Sequence, residues 1–71
     1  MPEKVTSAQQ ATTIAESFIK KHVSFFFSRP KKAVRENDMW LVEIDVGPIM
    51  PAIAKLKVDA NSGEILEYDI P

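Results

Sequence analysis

The first third of the chain has the periodicity of an amphipathic helix. Over residues 7–22, apolar side chains recur every three or four positions. At 100° per residue one helix face carries Ala8, Ala11, Ile14, Ala15, Phe18, Ile19 and His22. Thr6 is a good N-cap, with Gln9 three residues later as in a capping box, and Lys20 and Lys21 lie in the last turn, where the helix dipole favours cations. The pattern predicts one N-terminal helix.

Beyond the helix the hydrophobic period changes to two, which is typical of strands with one buried face. The side chains predicted to point inward are Trp40, Val42, Ile44, Val46, Ala54, Leu56, Val58 and Ala60. A last alternation covers residues 65–70. Residues 23–28 also have strand composition, but Pro30 either ends this piece or confines it to a sheet edge. Residues 32–36 form a further candidate strand.

Turn signals separate these segments. Asn37 followed by Asp38 predicts one turn. Asn61, Ser62 and Gly63 predict a hairpin in which the glycine adopts a positive φ. Residues 47–51 contain two prolines, which forbid regular strand pairing there.

The predicted fold class is α+β, with one N-terminal helix packed on a three- to four-stranded antiparallel sheet in two layers. Residues 1–71 form a single domain, since the length leaves no room for a second core. The opposite sheet face is predicted to be solvated, because it carries Glu43, Asp45, Lys55, Lys57, Asp59, Glu67 and Asp69. The apolar exceptions predicted on that face are Leu41, Ile65 and Phe26.

Composition argues against several functions. Nine Lys and Arg residues against ten Asp and Glu residues give a formal net charge of −1, whereas proteins that bind nucleic acid by bulk charge are usually basic. The short basic stretch at residues 29–35, preceded by phenylalanines, is the one feature that fits a single-stranded nucleic acid. We therefore expect no nucleic-acid partner.

The chain is also poor in catalytic and metal-binding residues. It has no cysteine and one histidine, which excludes thiolate chemistry and the usual zinc sites. His22 with Ser24 or Ser28 could be imagined as a triad, but no elbow glycine accompanies them. Glu43 and Asp45 could act as an acid/base pair, although ion pairing with neighbouring lysines explains them better. We expect no catalytic residue, no metal and no cofactor.

Residues 59–64 resemble the start of a calcium loop in composition. Asp59, Asn61 and Glu64 supply oxygen ligands, but Gly63 stands at the wrong position and no distal glutamate follows at the required spacing. A hairpin turn is the better interpretation.

Two apolar features predict contact with a partner. Successive strand residues point to opposite faces, so Phe25, Phe26 and Phe27 cannot all face one core. Ile49 and Met50 lie between prolines, and two placements stay open for them: a loop folded back over the sheet edge, or a stiff exposed tip. The candidate partner surface is Phe26, Leu41, Ile65, Ile49 and Met50.

The order of these motifs resembles the PepSY domain family. Residues 5–11, VTSAQQA, with Ile14 and Ala15, look like its helix; residues 39–44, MWLVEI, look like its Trp-bearing strand; residues 58–66, VDANSGEIL, are similar to its closing hairpin. The resemblance implies a helix-on-sheet fold and a non-catalytic protein-binding or regulatory module. Its partner would be another protein or a second copy of the chain, as a homodimer.

A weaker likeness is to the gas vesicle protein O family. It rests on Trp40, Val42 with Glu43, Pro51, and the spacing from Gly63 and Glu64 to Tyr68. This likeness implies the alternative function, a structural or assembly component. The N-terminal residues contain no export signal and no stretch could span a bilayer, which predicts a cytoplasmic protein, or an exported one if the chain is a trimmed domain.

Overall fold

The computed structural model describes residues 3–22 and 27–71, and it confirms the α+β architecture. Helix α1 covers Ala8–His22. Its N-cap is Ser7, whose Oγ accepts the backbone N–H of Gln10 at 3.2 Å, while the Gln10 side chain accepts the N–H groups of Thr6 and Ser7. The capping box therefore lies one residue later than the expected pair of Thr6 and Gln9.

Four strands form one antiparallel meander in the order β1-β2-β3-β4. Their bounds are Arg29–Glu36 for β1, Met39–Asp45 for β2, Ile53–Asp59 for β3 and Ile65–Asp69 for β4. Strand β1 includes Pro30, and a bulge follows it between Pro30 and Lys32. Because β1 is an edge strand, Pro30 can lack a backbone N–H without costing a hydrogen bond between two central strands.

The predicted inward set is confirmed. All eight of the side chains predicted to point inward are buried, together with Val5, Ala11, Ala15 and Ile19 from the N-terminal segment and the helix. The indole Nε1 of Trp40 donates to the carbonyl of Val5 at 3.0 Å, and the N–H of Val5 donates to the carbonyl of Ala60 at 3.0 Å. These bonds fix the segment before the helix to the end of β3.

The prediction that Ile65 lies on the open sheet face is wrong. Val58 pairs with Ile65 and Lys57 with Glu67, so Leu66 is an extra residue in a β-bulge. Residues directly opposite each other share a sheet face, so Ile65 shares the helix-covered face with Val58 and packs against the core. The bulge shifts the alternation by one residue, which a strict period of two cannot anticipate.

Of the strand predicted at residues 23–28, the structure describes only residues 27 and 28, and these are not in a strand. Residues 23–26, including Phe25 and Phe26, lie outside the described residues, and Phe27 and Ser28 precede β1. The short strand expected at residues 32–36 is instead the longer β1.

The molecule is elongated, with extents of 42 × 20 × 17 Å. One end, here called the hairpin end, consists of the β1–β2 turn and residues 59–64. The other, the tip end, carries the start of β1 and the loop between β2 and β3. Ile14 lies near Gly63, and Phe18 lies against Tyr68 with ring centroids 4.9 Å apart. The helix therefore runs from the hairpin end toward the tip end.

Gly63 supports the β3–β4 turn through its backbone conformation. Its φ is 79°, in the left-handed region, and its N–H donates to the carbonyl of Asp59 at 2.8 Å. We expect Gly63→Ala to lower the free energy of unfolding by about 1 kcal/mol, because alanine is disfavoured at positive φ. Urea denaturation measures the change, and a midpoint unchanged from that of the wild type would contradict this role.

Candidate partner-binding surface

The segment between β2 and β3, residues 46–52, is a loop closed at its base by hydrogen bonds; we call it the tip loop. The N–H of Val46 donates to the carbonyl of Ala52 at 2.8 Å. One carboxylate oxygen of Asp45 accepts the N–H of Gly47 at 2.9 Å and the N–H of Ala52 at 3.1 Å. Asp45 therefore joins the two limbs of the loop.

Asp45 departs from its expected place on the solvated face, since only 6% of it is exposed. The hydrogen bond from Gly47, and then the one from Ala52, hold the pKa of this carboxyl below its ordinary value of 3.8. The positive charges of Lys31 and Arg29 act in the same direction. The residue is neither a lysine partner nor half of an acid/base pair with Glu43; it is a charged acceptor for the loop backbone.

Gly47 completes this arrangement because a side chain does not fit there. A Cβ at this position would overlap the backbone oxygen of Met50 and crowd the nitrogen of Ala52. The close approach of the two limbs, together with Pro48 and Pro51, gives the loop little conformational freedom.

The tip loop presents two apolar side chains to solvent. Ile49 is 93% exposed and Met50 is 75% exposed, the highest values among the exposed large hydrophobic residues. Of the two placements left open by the sequence, the loop folded back over the sheet edge is wrong. Ile49 and Met50 stand at the end of the molecule, where a partner could cover both at once.

Positive charges lie beside the tip loop. Arg29 pairs with Asp45 in the sheet register, and the exposed Lys31 occupies the bulge that follows. The guanidinium of Arg29 also lies 5.4 Å from the centre of the Phe27 ring. An apolar tip with a cationic flank matches a partner surface that is apolar at its centre and acidic at its rim.

The open face of the sheet is the second candidate surface, and Leu41 is its central apolar residue. Leu41 lies opposite Val34 on one side and Lys57 on the other. A shallow groove of about 260 Å³ on this face is lined by Leu41, Glu43, Lys55, Leu56, Lys57, Glu67, Tyr68 and Asp69. Its rows of mixed charge include the ion pairs Lys57–Glu67 at 3.0 Å and Lys32–Glu43 at 3.8 Å.

The five predicted partner residues are therefore not brought together. Ile49 and Met50 lie on the tip loop, and Leu41 lies on the open sheet face. Ile65 packs under the helix, and Phe26 is outside the described residues. Among the predicted partner residues that the structure describes, those of the tip loop combine strong exposure with a backbone held by hydrogen bonds.

The described groups considered for catalysis or calcium binding have partners within the fold, while Ser24 lies outside the described residues. The ring of His22 stacks on Phe18 with centroids 4.2 Å apart. The hydroxyl of Ser28 donates to the carboxylate of Glu16 at 3.0 Å. Asp59 accepts the N–H of Asn61 at 2.9 Å and the Ser62 hydroxyl at 3.1 Å, as in a hairpin turn. Across residues 3–22 and 27–71, no three acidic or histidine side chains are grouped to hold a metal.

Sequence reasoning missed the role of Asp45. The signal in the sequence was the spacing of Asp45 and Gly47. An aspartate side chain can accept the backbone N–H of the residue two positions later, as in an Asx-turn. It also missed the exposure of Leu66, which is 53% exposed because it is the extra residue of the β4 bulge, and of Val34, which is 44% exposed opposite Leu41 on the open face.

Comparisons with known proteins give this chain no relative. No protein-family model matches it, and neither a curated protein nor a solved structure matches it. The PepSY and gas vesicle resemblances therefore stay predictions that rest on the quoted residues. Within the described part of the chain, α1 is too short and too polar to cross a membrane.

Proposed function

We propose that this chain is a non-catalytic module of PepSY-like type that binds a protein partner through its tip loop. The observation that carries the proposal is the combination of Ile49 and Met50 in solvent with the Asp45 carboxylate that holds both limbs of their loop. Regulation of the partner and assembly with it need the same surface, so the proposal covers both uses.

The energetics favour this loop over the open sheet face. Burying a large apolar side chain is worth about 1.5–3 kcal/mol, so Ile49 and Met50 supply the main gain on contact. A loop already held in one conformation loses little entropy on binding. On the open face, Leu41 is already half-buried and is surrounded by charges that a partner would have to desolvate.

The placement of the polar groups supports a non-catalytic role. Asp45 binds backbone N–H groups, Glu16 accepts from Ser28, and Glu3 forms a 2.6 Å ion pair with Arg35. Each of these acids serves to hold segments of the fold together. A binding module needs no more chemistry than the tip loop provides.

The test compares the wild type with the double variant Ile49→Ser/Met50→Ser. Immobilised on a support and exposed to native lysate, the wild type is expected to retain a partner that the double variant retains at least about a hundredfold more weakly. Leu66→Ser is the matched control, since Leu66 is also apolar and exposed but lies in β4. Circular dichroism checks that all three chains fold alike.

A different pattern would contradict the proposal. If the double variant retains the partner as well as the wild type and Leu41→Lys loses it, the open sheet face is the binding surface. If the lysate protein bound by the wild type is a substrate that is chemically altered, the non-catalytic role is wrong.

A further inference from the structure

The near-neutral net charge conceals a separation of charge along the molecule. The antiparallel register places a surplus of cations in the half nearest the tip loop and a surplus of carboxylates in the half nearest the β3–β4 hairpin. The long axis is 42 Å, several times the screening length of about 8 Å at physiological ionic strength. The two ends therefore act on a neighbouring molecule as separate patches of opposite sign.

The tip end is the basic patch. Arg29, Lys31 and Lys32 belong to the first half of β1, and Lys55 lies opposite Glu43 in the same half of the sheet. The helix runs toward this end and adds exposed cations in its last turn, Lys20 and Lys21. Of the nearby carboxylates, Asp45 is buried and bonded to the loop backbone, Glu43 is paired with Lys32, and the exposed Asp69 lies opposite Lys55. The exposed cations still outnumber the exposed carboxylates at this end.

The hairpin end is the acidic patch. Glu36 and Asp59 flank Met39 in one row of the sheet, and Asp38 and Glu64 lie in the adjoining turns. Glu36, Asp38 and Glu64 are exposed. Of the cations in this half, Arg35 is engaged by Glu3, and the exposed Lys4 offsets one of the exposed carboxylates.

A groove that could receive the tip lies at this acidic end. It measures about 380 Å³, is open to solvent, and is lined by Lys4, Gln9, Gln10, Thr13 and Ile14. Ile14 lies close to Gly63, so the groove borders the hairpin that carries Glu64.

We infer that the partner of the tip loop is the acidic end of a second copy of this chain, bound head to tail. This inference rests on the proposed function, since it names the partner of the same loop. The apolar tip enters the groove beside Ile14, and its cationic flank faces the carboxylate of Glu64. Glu36, on the open sheet face, adds to the negative charge of the same end. The contact joins two different surfaces, so a bound pair still has one basic and one acidic end free, and association continues into short chains.

Sedimentation velocity of the purified chain tests this inference at concentrations up to about 1 mM, where weak contacts become populated. The wild type is expected to sediment faster as concentration rises, and the increase is expected to shrink in 1 M salt, where the screening length falls to about 3 Å. Ile49→Ser/Met50→Ser is expected to stay monomeric.

Charge reversal identifies the two contacting ends. Arg29→Glu/Lys31→Glu makes both ends acidic, and Glu36→Lys/Glu64→Lys makes both ends basic, so each variant alone is expected to associate at least about tenfold more weakly than the wild type. An equimolar mixture of the two restores opposite signs across the contact and is expected to associate again. Lys20→Glu/Lys21→Glu replaces the first variant if circular dichroism shows that it does not fold.

The remaining outcomes separate this inference from the proposed function. A chain that is monomeric at all concentrations, yet retains a different protein through Ile49 and Met50, overturns the head-to-tail contact and leaves the proposed function standing. Cosedimentation with phosphatidylserine-containing vesicles by a monomeric chain overturns both. Association that persists unchanged in the charge-reversed variants also overturns the head-to-tail contact.

Discussion

Replacing Ile44 with alanine is expected to lower the free energy of unfolding by about 2–5 kcal/mol. Ile44 is fully buried in the central strand β2, on the face that α1 covers. A domain of this length has a total stability of only about 4–10 kcal/mol, so the cavity left by the substitution removes much of it. Urea denaturation followed by circular dichroism measures the loss.

Val34→Ala is the matched control for this substitution. Val34 is also β-branched and also lies in the sheet, but on the open face with 44% of it exposed. We expect a change within about 0.5 kcal/mol, as for most surface positions. Equal losses for the two substitutions would mean that the helix does not cover the Trp40 side of the sheet.

Removing the Asp45 carboxylate is expected to release the tip loop while the helix and sheet remain. Asp45→Ala leaves the N–H groups of Gly47 and Ala52 without their acceptor, so their exchange with solvent is expected to accelerate about tenfold or more. Amide hydrogen exchange followed by NMR measures this directly. Unchanged exchange at both amides would show that Asp45 does not hold the loop.

The same carboxylate predicts a pH dependence. Its pKa is lower in the folded chain than the ordinary value of 3.8, because the ionised form accepts the two backbone hydrogen bonds. Its contribution is therefore complete above pH 3.8 and is lost as the pH falls through the folded-state pKa. Asp45→Asn, which keeps an acceptor oxygen but does not titrate, is expected to show loop exchange that lacks this acid transition.

The helix and the two central strands could be predicted from the sequence because each buries one face against the other layer. The alternation from Trp40 to Val46 and from Ala54 to Ala60 follows from that burial. The placement of Ile65 could not be predicted, because it depends on which residue of β4 pairs with Val58. A single extra residue in an edge strand moves the side chains beyond it to the opposite sheet face, and the residue types in the strand do not reveal the shift.

The proposed binding surface was predictable in part for a similar reason. Two prolines around Ile49 and Met50 identify a stiff apolar loop, but not the direction in which it points. That direction depends on Asp45, whose carboxylate reaches Ala52, seven residues later in the chain. The charge separation is also hidden in the sequence, because it appears only when the antiparallel strands bring Arg29 to the same end as the tip loop.

Partner binding as proposed requires a tip loop that is both exposed and held in place. The direct measurement is NMR of the methyl groups with a soluble paramagnetic agent, combined with amide exchange at Gly47 and Ala52. The account predicts strong broadening of the Ile49 and Met50 methyl signals, none for Ile44, and slow exchange at both amides. Methyl signals of Ile49 and Met50 as protected as those of Ile44, or rapid exchange at the two amides, would contradict it.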